Sequence, residues 1–251
     1  MALHKSMIVA KSDLRMALKV SYVKYGLIGI AALGPIMMIL TIGSIIILDP
    51  LSAEFVIPLM DAIMSPMLGM IAIIPAALIS ANALVGEREQ NTLEPLLCTP
   101  LTDKELLLGK LLSSFIPSIV LLLGGIVITE IATIAICISM GVPIILVPGV
   151  AGLFLLLTAG PIMLVAIVSI MILISGKVKR VYEAYQTSGA VVMIFILPMM
   201  LPMISMDETG MVLMDLVWMS NIITLLIAII LAVVTWALAL SRFNRDTMIS
   251  M

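Results

Sequence analysis

The sequence predicts an all-α polytopic membrane protein with six transmembrane helices. Its composition is 63% hydrophobic and only 11% charged, with a mean hydropathy of +1.30. A helix needs about 20 mainly apolar residues to cross a bilayer, and six apolar stretches of about that length can be found in the chain. The predicted spans are residues 26–48, 62–85, 112–137, 147–175, 189–205 and 218–240, which together make residues 1–251 a single transmembrane domain.

The basic residues predict how these spans are oriented. All 13 Lys and Arg precede the first span, lie between the second and third or the fourth and fifth, or follow the last. The charged residues of the opposite loops are all acidic: Asp49, Glu54, Asp61, Asp207, Glu208 and Asp215. Because Lys and Arg favour the cytoplasmic side of a membrane, both termini are predicted to be cytoplasmic.

Residues 7–25 have the pattern of an amphipathic helix. Lys11, Arg15 and Lys19 recur every four residues, and apolar side chains occupy the opposite face. Such a helix lies in the membrane interface with its cations toward lipid headgroups, so we predict an N-terminal interfacial elbow helix. The alternative is a basic flank that only sets the topology.

The segment between spans two and three, residues 86–110, is a polar island that also keeps several leucines. Asn91 with Glu94, and Thr102 with Glu105, have the spacing of helix capping boxes. Pro100 should end the first helix. We therefore predict a short helix near 92–98, then a second helix that runs from Asp103 into span three. A short leucine-bearing helix on the cytoplasmic face is typical of a docking element.

Two further loops have residue patterns that predict their structure. The cytoplasmic loop 176–189 places Tyr182 and Tyr185 among cations, which suits an interfacial turn. It is either a second contact for a partner or a solvated connector. Residues 206–217 are too short to span the membrane and too apolar for a free loop, so short outer-face helices are expected between spans five and six.

Glu130 is the one carboxylate inside a predicted span. A charge near the bilayer centre costs about 2.5–3.5 kcal/mol on insertion scales, so such residues usually face a cavity or a partner. Glu130 therefore either lines a translocation path or subunit seam, or hydrogen-bonds to a neighbouring helix.

The sequence lacks the residues of several catalytic chemistries. Its single histidine is His4, and no P-loop sequence is present. We therefore expect neither an enzyme nor a metal or nucleotide site in this chain, and its charge distribution does not indicate nucleic acid as a partner. If ATP drives it, another subunit must bind that ATP.

The island resembles the cytoplasmic signature of ABC-2-type ABC transporter permeases. Asn91 departs from that pattern, in which a Gly is usual. The positions that fit are Gly86, Glu87, Arg88, Glu89, Thr92, Leu93, Glu94, Leu96, Leu97, Thr99, Pro100, Leu101, Thr102, Glu105, Gly109 and Lys110.

This resemblance implies a permease subunit of a prokaryotic plasma-membrane transporter, with export as the usual direction. It implies pairing with a second permease copy, as a homodimer or heterodimer, and with separate ATPase subunits that hold ATP-Mg. The island would then contain the coupling helix that contacts the ATPase. The residues it assigns to coupling are Glu87, Arg88, Glu89, Leu93, Glu94, Leu96, Leu97, Pro100, Thr102 and Glu105.

Other classes of membrane protein stay open at this point. A stand-alone channel or secondary transporter would need intramembrane ionisable pairs or broken helices, and only Glu130 qualifies. A membrane scaffold would use the island for assembly alone. The sequence indicates no substrate class.

Overall fold

The computed structural model describes residues 2–19, 21–49, 53–90, 102–178, 180–201, 203 and 214–242. Within these ranges the chain is helical and contains no strand, which confirms the all-α class. The helices are α1 (Ala2–Lys19), α2 (Ser21–Leu48), α3 (Ala53–Ala81), α4 (Val85–Glu89), α5 (Asp103–Met140), α6 (Val150–Ser175), α7 (Val181–Met199) and α8 (Met214–Arg242).

Four helical stretches in the described ranges are long and apolar enough to cross a membrane: Met60–Glu89, Asp103–Met140, Val150–Ser175 and Met214–Ser241. A shorter apolar stretch, Ala32–Leu48, belongs to α2. Since α2 has 28 residues in all, its backbone is about 42 Å long at 1.5 Å per residue. The chain is therefore a multi-pass membrane protein, while the count of six spans stays a prediction.

The range predicted for the elbow, residues 7–25, is helical in its described part, which α1 and the first residues of α2 cover. Residue 20, between these two helices, lies outside the described residues. The interfacial position of α1 remains a prediction.

Two helices extend further toward the N-terminus than predicted. The segment containing Asp61 was predicted to be an outer loop, but α3 already begins at Ala53. Asp61 can be buried there because its carboxylate accepts hydrogen bonds from Ser65 and from the backbone of Gly149.

The second early start is that of α7, which begins at Val181 and places Tyr182 and Tyr185 on a helix rather than in a turn. The Val181 N–H donates to Glu89 Oε1 at 2.8 Å. A side chain 92 residues away thus satisfies one of the amides that a helix leaves unpaired at its first turn.

The centre of the bundle is α3, which packs against α2, α5, α6 and α7. Small residues let the helices approach closely, as is usual in membranes. Those that are fully buried include Ala76, Ala77, Ala159 and Ala166. On the far side of α6 lies α8, and α1 packs along the start of α5.

The bundle has two chemically distinct ends. The basic end carries Lys11, Arg88, Lys104, Lys110 and Lys177. The acidic end carries Asp49, Asp61, Asp215 and the loop that joins α5 to α6. Residues 204–213, on which most of the predicted outer-face helices fall, lie outside the described residues, and α8 begins at Met214.

Candidate functional site

The basic end contains the predicted helix start at Thr102. The Thr102 N–H donates to Glu105 Oε2 at 2.9 Å, and the Glu105 N–H donates to Thr102 Oγ1 at 3.3 Å. This reciprocal pair is a complete capping box, so the predicted cap is confirmed. From it α5 continues as one helix of 38 residues, which joins the capped start to the apolar part of the helix.

The N-terminal helix docks on this start of α5. Ser6 Oγ donates to the Glu105 carbonyl oxygen at 2.9 Å. At Gly109, an added Cβ would lie 2.9 Å from Val9 Cβ and 3.1 Å from the Ser6 carbonyl oxygen. Only a glycine therefore allows α1 and α5 to approach this closely.

A buried lysine joins three helices at the same place. Lys110 of α5 is 1% exposed. Its ammonium group lies 2.8 Å from Asp13 Oδ2 of α1 and forms a second ion pair with Glu87 of α4. Buried charges are tolerated when they are paired, and here one cation holds two carboxylates.

Lys110 was included in the sequence-based predictions only as a position of the island motif, and neither Asp13 nor their ion pair was considered, although signals for the pair exist. Asp13 is the sole acid among the first 25 residues. Lys110 sits among Leu106, Leu107 and Leu111, all buried in the structure. A lone acid on a basic helix, together with a lone cation inside an apolar run, could have indicated the pair.

The segment from Asn82 to Gln90, here named the α4 segment, contacts residues 175–178 and 180–181, here named the α6–α7 corner. Ser175 Oγ accepts hydrogen bonds from the N–H groups of Leu84 and Val85, both at 3.0 Å. Arg88 donates to the carbonyl oxygens of Val178 at 2.9 Å and Gly176 at 3.1 Å.

Two further contacts extend this junction into α7. Glu89 accepts from the Val181 N–H, as described above. The Asn82 side-chain amide also donates to the Tyr185 hydroxyl. Tyr185 thus belongs to an intramolecular contact, which the sequence-based expectation of an interfacial turn did not foresee.

The structure brings five of the ten predicted coupling residues to the basic end and shows contacts to the chain itself for all five: Glu87, Arg88, Glu89, Thr102 and Glu105. The other five, Leu93, Glu94, Leu96, Leu97 and Pro100, lie outside the described residues. On α1, Lys11 is exposed, and Arg15 and Lys19 follow it on the same helix. Contact of any of these residues with an ATPase stays a prediction.

The acidic end holds Glu130 and a second carboxylate. Glu130 is partly buried in α5 and interacts with the backbone of Val147 in the loop between α5 and α6. Asp61 accepts from Ser65 Oγ at 2.5 Å and from the Gly149 N–H at 3.0 Å. The spacing of Asp61 and Ser65, four residues apart on one helix, is the signal that could have identified this contact.

The described residues contain no group of three or more His, Cys, Asp or Glu side chains that could hold a metal ion. The basic end is instead a place where several helices contact one another. Residues 86–90 and 102–110, the described parts of the island, are connected by ion pairs and hydrogen bonds to α1, α5, α6 and α7.

Comparison with known proteins identifies the family of this chain. No curated protein matches the chain. A family model described as "ABC-2 family transporter protein" matches residues 5–217, which include α2 to α7 in full and almost all of α1. The chain therefore belongs to the ABC-2 transporter family.

Proposed function

We propose that this chain is the permease subunit of an ATP-binding cassette transporter that exports its substrate, using ATP-Mg bound and hydrolysed by a separate subunit. Family membership supports a permease of this kind. In this proposal the basic end faces the cytoplasm, and residues 91–101, between the α4 segment and α5, form the contact with the ATPase.

The observation that carries the proposal is the anchoring of both ends of that contact segment. On one side, α4 is bound to Lys110 and to the α6–α7 corner. On the other, α5 begins at a complete capping box and continues for 38 residues. In this proposal, displacement of residues 91–101 moves the helices to which the described residues on either side are attached.

We further propose that two permease copies, identical or homologous, enclose the translocation path. In the single chain, only 22% of the apolar window of α8 and 28% of that of α5 are buried. These helices therefore present broad apolar faces to their surroundings, as expected of surfaces that meet lipid or a second copy.

The test reconstitutes the chain in proteoliposomes with candidate P-loop ATPases of the same organism, and follows ATP-stimulated efflux of candidate substrates. We expect Leu97→Asp to uncouple ATP hydrolysis from transport, because a carboxylate would enter an apolar docking contact. Lys104→Ala, at an exposed cation of the same end, serves as the matched control.

Failure of the native chain to bind any ATPase would overturn the proposal. ATP-independent flux through the native chain would instead favour a channel or secondary transporter. Binding without any substrate flux would favour a scaffold.

A further inference from the structure

We propose that Arg88 and Glu89 are positioning residues that join the α4 segment to the α6–α7 corner, so that displacement of residues 91–101 reaches α6 and α7 as well as α5. This inference rests on the proposed function. It assigns these two residues to an intramolecular connection, whereas the family resemblance assigned them to the ATPase contact.

Arg88 binds the turn that follows α6. Its two terminal nitrogens donate to the carbonyl oxygens of Gly176, the C-cap residue of α6, and of Val178, two residues further along the chain. A cation near the C-terminus of a helix is favoured by the helix dipole. A guanidinium presents its donors in a rigid fork, so this contact fixes both distance and orientation.

Glu89 caps the start of α7. The N-cap residue of α7, Arg180, makes no side-chain capping bond. The carboxylate of Glu89 accepts from the first amide of the helix, that of Val181. An anion at this position is favoured by the helix dipole, so α7 takes its cap from α4 rather than from its own sequence.

The α6–α7 corner in turn binds the backbone amides at the start of α4. Ser175 is fully buried, and its hydroxyl accepts from the amides of Leu84 and Val85 at the start of α4. Separating the two segments would leave buried donors and acceptors unpaired on both sides, which is costly. The α4 segment and the corner should therefore move as one unit.

The test measures the distance between spin labels at Gln90 and Gln186, both exposed, in a background with Cys98→Ser and Cys137→Ala. We expect a narrow distance distribution for otherwise native permease, unchanged when the partner ATPase is trapped with nucleotide. In Arg88→Ala and in Glu89→Ala, the fraction of separated conformers should rise by at least about tenfold, as loss of a charge-assisted hydrogen bond predicts.

Three comparisons make the outcome decisive. Lys177→Ala, an exposed cation on the corner itself, should leave the distribution narrow. Arg88→Lys, which keeps the charge but not the fork, should give an intermediate width and would report on the contact if the alanine variant failed to fold. The alanine variants should also transport less substrate per ATP hydrolysed, with ATPase binding retained.

A native distribution in Arg88→Ala and Glu89→Ala would overturn the inference, and so would a distance that changes with nucleotide in the native protein. Loss of ATPase binding in these variants would instead indicate that both residues contact the ATPase. If the native chain showed no ATP-driven transport, the proposed function would fail, while the distances in the isolated permease would still decide whether these residues join the two segments.

Discussion

At the scale of single residues, the basic end is organised around Lys110. A lysine that is 1% exposed must give up most of its hydration, and two carboxylates from other helices replace it. The sequence places Lys110 in a motif, but its burial was missed because its partner Asp13 comes from α1, nearly a hundred residues earlier.

We expect Lys110→Met to destabilise the protein strongly, because it leaves Asp13 and Glu87 without their shared cation. Breaking a buried pair by removing one partner costs roughly 3–5 kcal/mol. Thermal unfolding in detergent should show this loss, and Lys104→Met, at an exposed lysine of the same helix, should unfold like the native protein. Equal midpoints for the two variants would contradict the stabilising role assigned to Lys110.

Glu130 gives a second prediction at this scale. Because Gln keeps the shape of Glu and can still accept a hydrogen bond, Glu130→Gln should fold normally and retain the contact with the Val147 backbone. If the charge lines a translocation path, efflux from proteoliposomes should fall, whereas Asp215→Asn, at an exposed acid of the same end, should transport normally. Native efflux from Glu130→Gln would leave Glu130 with a structural role in its loop contact.

At the scale of elements, a helix end set by neighbouring residues was predictable from the sequence, whereas one set by residues distant in the chain was not. The capping box of α5 was predictable because Thr102 and Glu105 are three residues apart. The start of α7 was not, because its capping carboxylate belongs to Glu89. Likewise, the burial of Asp61 within α3 could not be predicted from sequence, because its carboxylate accepts a hydrogen bond from the Gly149 amide of another loop.

The contact between α1 and α5 can be tested by a pair of Gly→Ala variants within one helix. At Gly109 the new methyl group would meet Val9 and the Ser6 carbonyl, whereas at Gly124 it would meet nothing within 4 Å. We expect Gly109→Ala to cost about 1–3 kcal/mol through overpacking. Gly124→Ala should instead be neutral or gain up to about 1 kcal/mol from helix propensity.

Unfolding midpoints for the two variants check this difference directly. A Gly109→Ala protein as stable as Gly124→Ala would mean that α1 is not held against α5 as the structure shows.

At the scale of the whole molecule, charge separation relates the fold to the membrane. The sequence predicted a basic and an acidic side, and the structure gathers the described residues of each kind at opposite ends of one helical bundle. The Lys and Arg bias predicts which side of the membrane each end faces. The number of crossings could not be obtained in the same way, because it depends on where each helix meets the lipid.

Single cysteines in a background with Cys98→Ser and Cys137→Ala test this orientation. An impermeant maleimide should label Lys104→Cys and Lys177→Cys only in inside-out vesicles, and Val150→Cys and Asp215→Cys only in intact cells. All four positions are exposed in the structure. Labelling of both pairs from the same side would contradict an arrangement in which the basic end is cytoplasmic.

The five-residue helix α4 has a consequence for how the chain can vary in length. Its consecutive residues Glu87, Arg88 and Glu89 attach to Lys110 of α5, to the end of α6 and to the start of α7, respectively. Each residue of an α-helix advances by about 100° around the axis, so inserting or deleting one residue before Glu87 would turn all three side chains away from their partners at once. Substitutions here change one connection at a time, whereas a change of length would disconnect three helices together.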